Sequence, residues 1–319
     1  MPAFNAAPFI EEAVESVLTQ GVDGLELLVV DDGSTDDTLV RLRRVQDPRL
    51  RVVPLGKVGV GAARNHGLSL ARGEYLGFLD ADDRWRPGKL RQQLALLESE
   101  PDVGFVFTNF RRFDASGFHA ETQFDFVPHL RHVPTRPSRA GEGRVILGSA
   151  FEALVGCPQL PCWTQTMLAR AALVRGIAFP PDMRLSQDLY YVLNVYRVAA
   201  GAYIAEPLVE VRRHGGNSYR HAFEKIRPDI EALTRTLATV TNSRERTALR
   251  RRLGRAWLAA GYHQLHAGHV ATAASAYWRA AVLPGSRGRA LSRLLLTPLA
   301  PFIARRRPHG REAFPSGRG

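Results

Sequence analysis

Two apolar runs of this sequence, about fifty residues apart, each end in a cluster of aspartates. Leu25–Val30 leads into Asp31-Asp32-Gly33-Ser34, and Tyr75–Leu79 leads into Asp80-Ala81-Asp82-Asp83. A continuous apolar run of this length is typical of a strand that is buried on both faces. Carboxylates at the end of such a strand cost free energy unless something uses their charge. The pattern therefore favours a fold in which buried strands deliver acidic groups to one edge.

Helical patterns separate the apolar runs along the first hundred residues. The predicted order is helix Pro8–Gln20, strand Leu25–Val30, a helix capped by Ser34 or Thr35 and running to about Val45, strand Arg51–Leu55, helix Gly59–Leu70, strand Tyr75–Leu79, a helix from Pro87 to about Glu100, and strand Val103–Thr108. This alternation predicts an α/β fold with a mostly parallel, mixed sheet that helices flank. The ligand of such a sheet lies beyond the carboxyl ends of its strands, so we expect both acidic clusters to face one cleft.

Beyond residue 110 the pattern changes. Residues 114–148 show no period and predict a long loop or lid. The expected regular segments that follow are Val145–Val155, Gln165–Val174 and Asp188–Ala199, and then the helices Phe223–Val240, Ser243–Ala267, Val270–Leu283 and Ser286–Leu296. We therefore predict a nucleotide-binding domain over residues 1–220, an α-helical region over 221–304, and a basic, disordered tail over 305–319.

The composition narrows the class of protein. The chain has 319 residues, of which 45% are apolar and 23% are charged, so collagen-like and wholly disordered classes are excluded. No run approaches the ~20 apolar residues that would span a bilayer. The acidic opening MPAFNAAPFIEEAVES lacks the basic region of a signal peptide. Two cysteines, Cys157 and Cys162, are too few for a disulfide framework. We expect a cytoplasmic protein with reduced thiols.

The positive charge lies in the last third of the chain. Residues 211–319 hold 21 Lys and Arg against 5 Asp and Glu, whereas residues 1–210 hold 22 against 26. This distribution does not favour nucleic acid as a partner of the whole chain. Within residues 285–311, seven arginines surround the apolar stretch Leu294–Ile303. That arrangement predicts peripheral contact with an anionic membrane at its inner face, and the alternative is that the leucines pack on the helical region.

Paired acidic clusters point to a particular chemistry. Carboxylate oxygens are hard ligands that suit Mg²⁺ or Mn²⁺, and these ions bridge the phosphates of a nucleotide. Asp, Gly and Ser also make good turns, so one cluster by itself favours a plain turn. Two clusters at one edge of a sheet favour a divalent metal on a nucleoside diphosphate.

Three segments together resemble a known family. Pro2-Ala3-Phe4-Asn5, VVDDGSTD at residues 29–36 and GAARNHGLSLARGEYLGFLDADD at residues 61–83 resemble, in order and spacing, the family 2 glycosyltransferases, which have the GT-A fold. The resemblance extends from residue 1 to about residue 215. It implies an inverting transfer of a sugar from a nucleoside-diphosphate sugar, with UDP favoured, to a glycan or lipid-linked acceptor.

The resemblance also implies roles for individual residues. Asp32 is expected to contact the nucleotide base with Asp31 beside it, and Arg64 is expected to face the diphosphate. The full nucleotide-binding set is Ala3, Asn5, Asp31, Asp32, Arg64 and Asp80. The metal-binding set is the DxD pair Asp80 and Asp82, together with His214 from the segment Arg213-His214-Gly215-Gly216-Asn217-Ser218.

Asp188 is the expected catalytic base. The segment Leu185-Ser186-Gln187-Asp188-Leu189 resembles the family's Glu-Asp pair, with Gln187 in place of the usual Glu. Direct displacement at an anomeric carbon needs a carboxylate that takes the proton of the acceptor hydroxyl, and it needs positive charge on the leaving diphosphate. The alternative role for Asp188 is to complement the dipole of a helix N-terminus.

The resemblance implies a full strand before Pro2, where this sequence has only Met1. We expect this strand to be missing or to begin upstream, which would open the edges of its neighbours. Aromatic residues near the cleft, Trp85 and Trp163, have two interpretations, stacking on a sugar face or core packing.

Other functions fit parts of the sequence. Gly59-Val60-Gly61-Ala62-Ala63-Arg64 follows a strand as a dinucleotide-binding fingerprint does, but Arg64 replaces its third glycine. A phosphatase with an aspartyl-phosphate intermediate could use Asp80 and Asp82, but three lysines offer little choice for its lysine. A degenerate transferase that acts as a binding module through its helical region would keep every acidic residue.

Overall fold

The computed structural model describes residues 1–157, 159–216, 224 and 226–296. Its strands are β1 Pro2–Ala3, β2 Leu27–Asp31, β3 Leu50–Pro54, β4 Tyr75–Gly77, β5 Arg84–Trp85, β6 Val103–Asp114, β7 Gly117–Thr122, β8 Thr135–Pro137, β9 Arg144–Ile146, β10 Met167–Arg170 and β11 Ala200–Arg212. Its helices are α1 Ile10–Leu18, α2 Thr38–Leu42, α3 Val60–Leu70, α4 Lys89–Ser99, α5 Ala150–Val155, α6 Ala171–Val174, α7 Gln187–Val198, α8 Ile226–Thr239, α9 Ser243–His266, α10 Val270–Ala281 and α11 Arg287–Leu296. Two compact units, unit 1 (Met1–Arg252) and unit 2 (Leu253–Gly319), divide within α9.

Unit 1 contains two sheets. The first has the order β1-β2-β3 and is parallel throughout. The second has the order β4-β10-β6-β11-β9-β8, with β5 on β11 and β7 on β6. Only its β6–β11 pair is parallel among the described strands. The α/β fold with a mixed sheet is confirmed, but its parallel part is smaller than expected, because short connections such as the β6–β7 turn force neighbouring strands to run antiparallel.

The core of unit 1 lies where α1 meets the sheets. Ile10, Val14 and Val17 follow the helical spacing and are at most 2% exposed. They belong to one apolar cluster with Val29 of β2 and Phe110 of β6. Full burial of such a side chain contributes roughly 1.5–3 kcal/mol, so this cluster fixes the strands whose ends carry the acidic residues.

The predicted loop over residues 114–148 is wrong. This segment forms β7, β8 and β9 and two short 3₁₀ turns, Gln123–Phe126 and Pro128–His132. β7 pairs with β6 and β8 with β9, and a remote bond from Arg136 to Glu100 at 2.7 Å adds to these pairings. The three strands are only 6, 3 and 3 residues long, too short to leave a clear period in the sequence.

Strand β11 was not predicted, although it is the longest strand of the described chain at 13 residues. Pro207 lies inside it, and a proline argues against a central strand. The structure accommodates this proline at an irregularity, because the register against β6 shifts on both sides of Pro207.

Strand β1 consists of two residues that pair with β2, and β2 and β4 fall in different sheets. A cavity of about 390 Å³ is lined by residues of β2, α3 and β4, among them Val30, Gly67 and Leu76. The further strand before Pro2 stays a prediction.

Helices α8 to α11 confirm the predicted helical segments, with ends that differ by a few residues. Unit 2 packs through small residues: Ala280, Ala281 and Ala290 form its buried cluster, against Trp257 and Leu258. No helix in the described part of the chain is long and apolar enough to cross a membrane. The predicted tail 305–319 lies outside the described residues, and the boundary at residue 220 stays a prediction.

Candidate active site

Hydrogen bonds join the loops that follow β1 and β2. Asn5 Oδ1 accepts the Thr35 N–H at 2.8 Å, and the Asn5 N–H donates to Ser34 Oγ at 2.9 Å. Asp36 Oδ2 accepts the Ala7 N–H at 3.0 Å. Asn5 has a φ of 49°, in the left-handed region that asparagine tolerates best after glycine. The two segments of the predicted nucleotide pocket are therefore held as one surface.

Asp31 and Asp32 have different hydrogen-bonding states. The Asp32 carboxylate accepts the N–H groups of Val58 at 2.6 Å and Gly59 at 2.9 Å, so it holds the loop before α3. Asp31 lies beside Ala3 in the β1–β2 register, and its Oδ2 accepts the Ser34 N–H at 3.1 Å. Asp31 Oδ1 is buried and has no hydrogen-bond partner among the described residues. A buried acceptor without a donor costs about 1–3 kcal/mol, so Asp31 has an unused acceptor at the predicted pocket.

Arg64 on α3 holds the first aspartate of the DxD pair. Its Nη2 donates to Asp80 Oδ1 at 2.5 Å, and its side chain is only 6% exposed. The guanidinium carbon also lies 5.3 Å from the centre of the Phe179 ring. A buried guanidinium is stable only when it is paired, so Arg64 fixes Asp80 at the end of the sheet.

Asp82 faces His214, with Oδ2 and Nε2 3.0 Å apart. The Gly216 N–H donates to His214 Nδ1 at 3.1 Å, so the neutral ring carries its proton on Nε2, toward Asp82. Burial raises the pKa of Asp82, the charge of Asp80 raises it further, and the hydrogen bond from His214 opposes both. The structure therefore brings Asp82 and His214 into contact, and Asp80 lies close enough for its charge to act on Asp82. Asn217 and Ser218 of the same segment lie outside the described residues.

Asp83 is buried, with 4% of its surface exposed. Its Oδ1 accepts the Arg212 N–H at 2.9 Å, and its Oδ2 accepts Gln165 Nε2 at 3.2 Å. Burial raises its pKa well above the ordinary value, and the neighbouring Asp82 and Asp80 add to this rise. Asp83 thus ties the DxD turn to β11.

Asp188 lies in the first turn of α7 and is half-buried. The start of α7 lies against α3, where a Cβ on Gly61 would stand 3.1 Å from the Pro180 oxygen and 3.7 Å from Gln187 Cγ. Phe179, which lies under Arg64, stacks on Tyr191 of α7 at 4.2 Å. These contacts bring the predicted base to the side of the donor pocket where Arg64 holds Asp80.

The residue before α7, Ser186, has left-handed backbone dihedrals of φ 60° and ψ 16°. Asn5 is the other non-glycine residue with positive φ in the described chain, so both such residues adjoin predicted site residues. Ser186 Oγ donates to Asp229 Oδ1 of α8 at 2.5 Å, which holds this conformation. Backbone strain of this kind is concentrated at functional sites.

Comparison with known proteins assigns the chain to a family. A family model described as Glycosyl transferase family 2 matches residues 1–150. TuaG of Bacillus subtilis strain 168, a protein named as a glycosyltransferase of teichuronic acid biosynthesis, is 41% identical over 215 residues, which are 66% of this chain and 76% of TuaG. The chain belongs to glycosyltransferase family 2. It is therefore an enzyme of the glycosyltransferase class.

Solved structures show the fold of this transferase. TarS of S. aureus, residues 1–349 in complex with UDP-GlcNAc, is 18% identical, with a TM-score of 0.66 over 95% of this chain and 85% of that one. A mannosyltransferase of Pyrobaculum calidifontis, in complex with GDP-Man and Mn²⁺, is 21% identical, with a TM-score of 0.58 over 95% of this chain and 81% of that one. The expected GT-A fold is confirmed.

Two carboxylates of the transferase, Asp80 and Asp82, are the candidate ligands of a divalent metal ion. No group of three or more His, Cys, Asp or Glu side chains in the described ranges is arranged to hold a metal ion by itself. Mg²⁺ is commonly bound through one or two carboxylates plus substrate phosphates, rather than by an all-protein cage. Asp80 and Asp82 fit that requirement: burial is the main cause of the raised pKa of Asp82, and the charge of Asp80 adds to it.

Sequence analysis of the transferase missed two residues beside the DxD pair, Arg212 and Gln165. Besides its bond to Asp83, Arg212 donates from Nε to the Asp82 carbonyl at 3.0 Å and pairs with Glu12 of α1. Its place two residues before His214 was the available signal. No signal in the sequence marked Gln165.

The two tryptophans behave differently. Trp85 is 7% exposed and its Nε1 donates to the Gln165 carbonyl at 3.0 Å, so sugar stacking is wrong for Trp85 and core packing is correct. Trp163 is half-buried against Phe110, with ring centres 4.7 Å apart.

Proposed function

We propose that this glycosyltransferase is an inverting enzyme that moves a sugar from a UDP-type donor to a glycan or lipid-linked acceptor. The observation that carries the proposal is the convergence of two remote segments. Arg64 pairs with Asp80 and lies over Phe179, and Phe179 stacks on the helix that bears Asp188. These contacts support a donor site and a base that lie side by side, as a single displacement requires.

The nucleoside occupies the surface formed by the loops after β1 and β2. Asp31 Oδ1 is a buried acceptor without a partner, so an N–H of the base that reached it would remove the cost of leaving it unpaired. This exchanges the expected roles of the two aspartates, because the Asp32 carboxylate accepts the Val58 and Gly59 N–H groups and keeps the loop before α3 in position. Ala3 and Asn5 complete this pocket through the pairing of Ala3 with Asp31 and the bonds from Asn5 to the neighbouring loop. TarS, which has the same fold, binds UDP-GlcNAc, and this supports a UDP-type donor.

The diphosphate lies at the DxD pair. Asp80 and Asp82 would hold a divalent cation, Mn²⁺ or Mg²⁺. For His214 to be a further ligand through Nε2, its ring proton would move to Nδ1, in place of the hydrogen bond from the Gly216 N–H. A bound cation would supply Lewis-acid stabilisation of the charge that develops on the leaving diphosphate. Binding of Mn²⁺ by the Pyrobaculum calidifontis mannosyltransferase supports this assignment. Arg64 adds fixed positive charge near Asp80.

The chain's own chemistry is proton removal. The Asp188 carboxylate accepts the proton of the acceptor hydroxyl while that oxygen forms its bond to the anomeric carbon. The bond from the anomeric carbon to the diphosphate oxygen breaks in the same displacement, and the electron pair leaves with the nucleoside diphosphate. Attack from the face opposite the leaving group inverts the configuration.

The acceptor is the less constrained substrate. The similarity to TuaG, named for teichuronic acid biosynthesis, supports an acidic cell-envelope glycan as the acceptor class. A lipid-linked acceptor would place the reaction at a membrane face, and we include peripheral contact with anionic lipid in the proposal. The predicted anchor segment 285–311 is described through Leu296, and its arginines at 305–307 and 311 lie outside the described residues.

A thermal-shift experiment tests donor and metal together. UDP-, GDP- and TDP-sugars are compared with and without Mn²⁺, on the parent and on Asp82→Asn. A ligand at a hundredfold excess over its Kd stabilises the folded protein by about 2.7 kcal/mol, so the parent should melt higher with a UDP-sugar and Mn²⁺.

Asp82→Asn should keep the parent's melting temperature without ligand and lose the rise that Mn²⁺ adds. Asp23→Asn, an exposed aspartate in the loop before β2, is the charge-matched control and should behave like the parent. If Asp82→Asn responded to UDP-sugar and Mn²⁺ as the parent does, the metal assignment would be overturned.

A further inference from the structure

Unit 2 exposes large apolar side chains on two neighbouring helices. Trp278 on α10 is 62% exposed, and Val282, one turn later, is 63% exposed. On α11, Leu291 is 41% and Leu295 is 79% exposed. Residues four apart lie on one side of a helix, so each helix ends in a pair of apolar side chains that face water. We call these four residues the apolar surface of unit 2.

The apolar surface is a consequence of how the helices pack. α10 buries Ala273, Ala276 and Ala280, whereas its largest side chain, Trp278, points away from them. α11 buries Ala290. The alanines let the helices approach closely around the buried Tyr277, and they leave Trp278, the largest side chain of α10, on the outside. An exposed apolar surface of this kind marks an interaction site.

The charge around the apolar surface is of one sign. Residues 253–296 contain five arginines and no aspartate or glutamate. Arg287 and Arg289 at the start of α11 are exposed. Arg279 and Arg293 lie over the rings of Trp257 and Tyr262, at 4.9 and 5.9 Å from the ring centres. A partner that covers this region must therefore present apolar groups bordered by negative charge.

We propose that α10 and α11 dock unit 2 on the surface of an anionic lipid bilayer. The acyl boundary receives Trp278, Val282, Leu291 and Leu295, and the arginines meet the headgroups. A second copy of the chain is a poorer partner, because a symmetric interface would place equal positive charges opposite each other. Within the described residues α11 is ten residues long, short of the ~20 that span a bilayer, so the contact that we propose for it is interfacial. This proposal rests on the membrane contact included in the proposed function and deepens it, since it assigns that contact to α10 and α11.

Vesicle partitioning of the full chain tests the docking. Vesicles of phosphatidylcholine alone and of phosphatidylcholine with phosphatidylglycerol are sedimented with the parent protein. Several basic residues near an anionic surface should raise partitioning into the anionic vesicles at least about tenfold, and added salt should reverse this. Trp278→Ser should lower partitioning into the vesicles about tenfold, because serine cannot replace the apolar ring at the boundary between headgroups and acyl chains. Trp278 lies outside the segment 285–311, so this variant separates the apolar surface from an anchor in the tail.

Matched variants decide whether the contact is local. Arg287→Gln with Arg289→Gln should weaken binding to anionic vesicles about tenfold. Arg43→Gln with Arg44→Gln removes the same charge from exposed positions after α2 and should change nothing. The proposal would be overturned if the parent sedimented equally with both vesicle types, or if Trp278→Ser partitioned into anionic vesicles as the parent does. It would also be overturned if the two arginine double variants lost binding equally, or if the protein formed a dimer in solution that Trp278→Ser dissociates. The response to UDP-sugar and Mn²⁺ should be the same in all these variants, so this test and that of the catalytic proposal fail independently.

Discussion

The two units use arginine in opposite ways. In unit 1, arginines around the site pair with carboxylates that are far away in sequence, as Arg64 does with Asp80 and Arg212 with Glu12. Residues 253–296 of unit 2 carry five arginines and no carboxylate at all. Charge therefore stabilises internal geometry in unit 1, whereas in unit 2 it is displayed on the surface.

The difference extends to packing. Unit 1 is held by side chains that cross between elements, such as Glu210 of β11, which pairs with Arg84 and Arg111. Unit 2 depends on close approach of its helices. Gly261 lies against the Tyr277 ring, and a Cβ on Gly261 would stand 2.5 Å from that ring. A site that must hold several charged groups in place needs the first arrangement, and a helical pair that presents a surface can use the second.

Among the variants proposed for the two units, Asp188→Asn in unit 1 should have the largest effect, a loss of catalysis. General acid–base catalysis contributes roughly 10²- to 10⁴-fold, so turnover should fall by that factor. Donor affinity should change little, because the carboxylate acts on the acceptor hydroxyl. Steady-state kinetics of sugar transfer measure both quantities, and Arg289→Gln in unit 2 should leave them unaltered in the absence of membranes. Unchanged turnover in Asp188→Asn would assign the base to another residue, and the buried, doubly hydrogen-bonded Asp83 could not replace it.

Glu210→Gln should show how strongly unit 1 depends on its charge pairs. The Glu210 side chain is 7% exposed and pairs with Arg84 and Arg111, which are 28% and 29% exposed. Its removal takes the carboxylate from Arg111 and leaves Arg84 with Glu12, at a cost of about 2–3 kcal/mol in the free energy of unfolding. Urea unfolding measures this change. Arg287→Gln in unit 2 should stay within about 0.5 kcal/mol of the parent, and equal losses in the two variants would contradict the contrast.

Gly261→Val should show that unit 2 depends on close approach. The added side chain meets the buried Tyr277 ring, and overpacking of this kind costs about 1–3 kcal/mol. Hydrogen exchange of the α9 and α10 amides should report the loss. Gly288→Ala on α11 is the matched control, because nothing lies within 4 Å of its added Cβ. If the α9 and α10 amides of Gly261→Val stayed as protected as in the parent, close approach at Gly261 would not contribute to the stability of unit 2.

The smallest expected effect is an acid-dependent loss of stability at one ion pair of unit 1. Hydrogen bonds from Arg136, supported by the Arg139 N–H, lower the pKa of Glu100 to about 2. Because the ordinary pKa of glutamate is near 4.5, this pair stabilises the folded protein fully above that pH. The stabilisation is lost as the pH falls from about 4.5 toward 2.

Melting temperatures of the parent and of Glu100→Gln, compared over that pH range, measure this contribution. The two curves should converge at the acid end and separate above pH 4.5. Amide protection in α10 is the internal reference, since residues 253–296 have no carboxylate that titrates in this range. Parallel curves would show that the pair contributes nothing to stability.

Much of the fold follows from local patterns in the sequence. The apolar runs before Asp31 and Asp80 are strands that end near the site, and the helical periods of α1, α3 and α4 are observed within a few residues of their predicted ends. The expected regular segment Asp188–Ala199 is the helix α7. These features depend on periodicity and on buried strand composition, which are properties of short windows. The motif order alone carried the resemblance to family 2 glycosyltransferases.

Other elements depend on partners that no short window contains. Strand β11 contains Pro207, and its pairing with β6 becomes possible only because the register shifts on both sides of the proline. The segment 114–148 acquires its strands from pairing and from bonds such as that between Arg136 and Glu100. Sequence patterns did not mark these elements, because β8 and β9 are only three residues long and β11 is interrupted by a proline.

The sequence by itself determined which acidic groups stand at the ends of the strands, because strand and helix periods are encoded locally. Only the tertiary structure decided what each group does there. It paired Arg64 with Asp80, buried Asp83 against Arg212, and left Asp31 Oδ1 without a donor. It also turned Trp278 to the outside of unit 2 by packing alanines inside. Burial and hydrogen bonding are settled by neighbours in space, and Arg212 and Glu12 stand 200 residues apart in the chain.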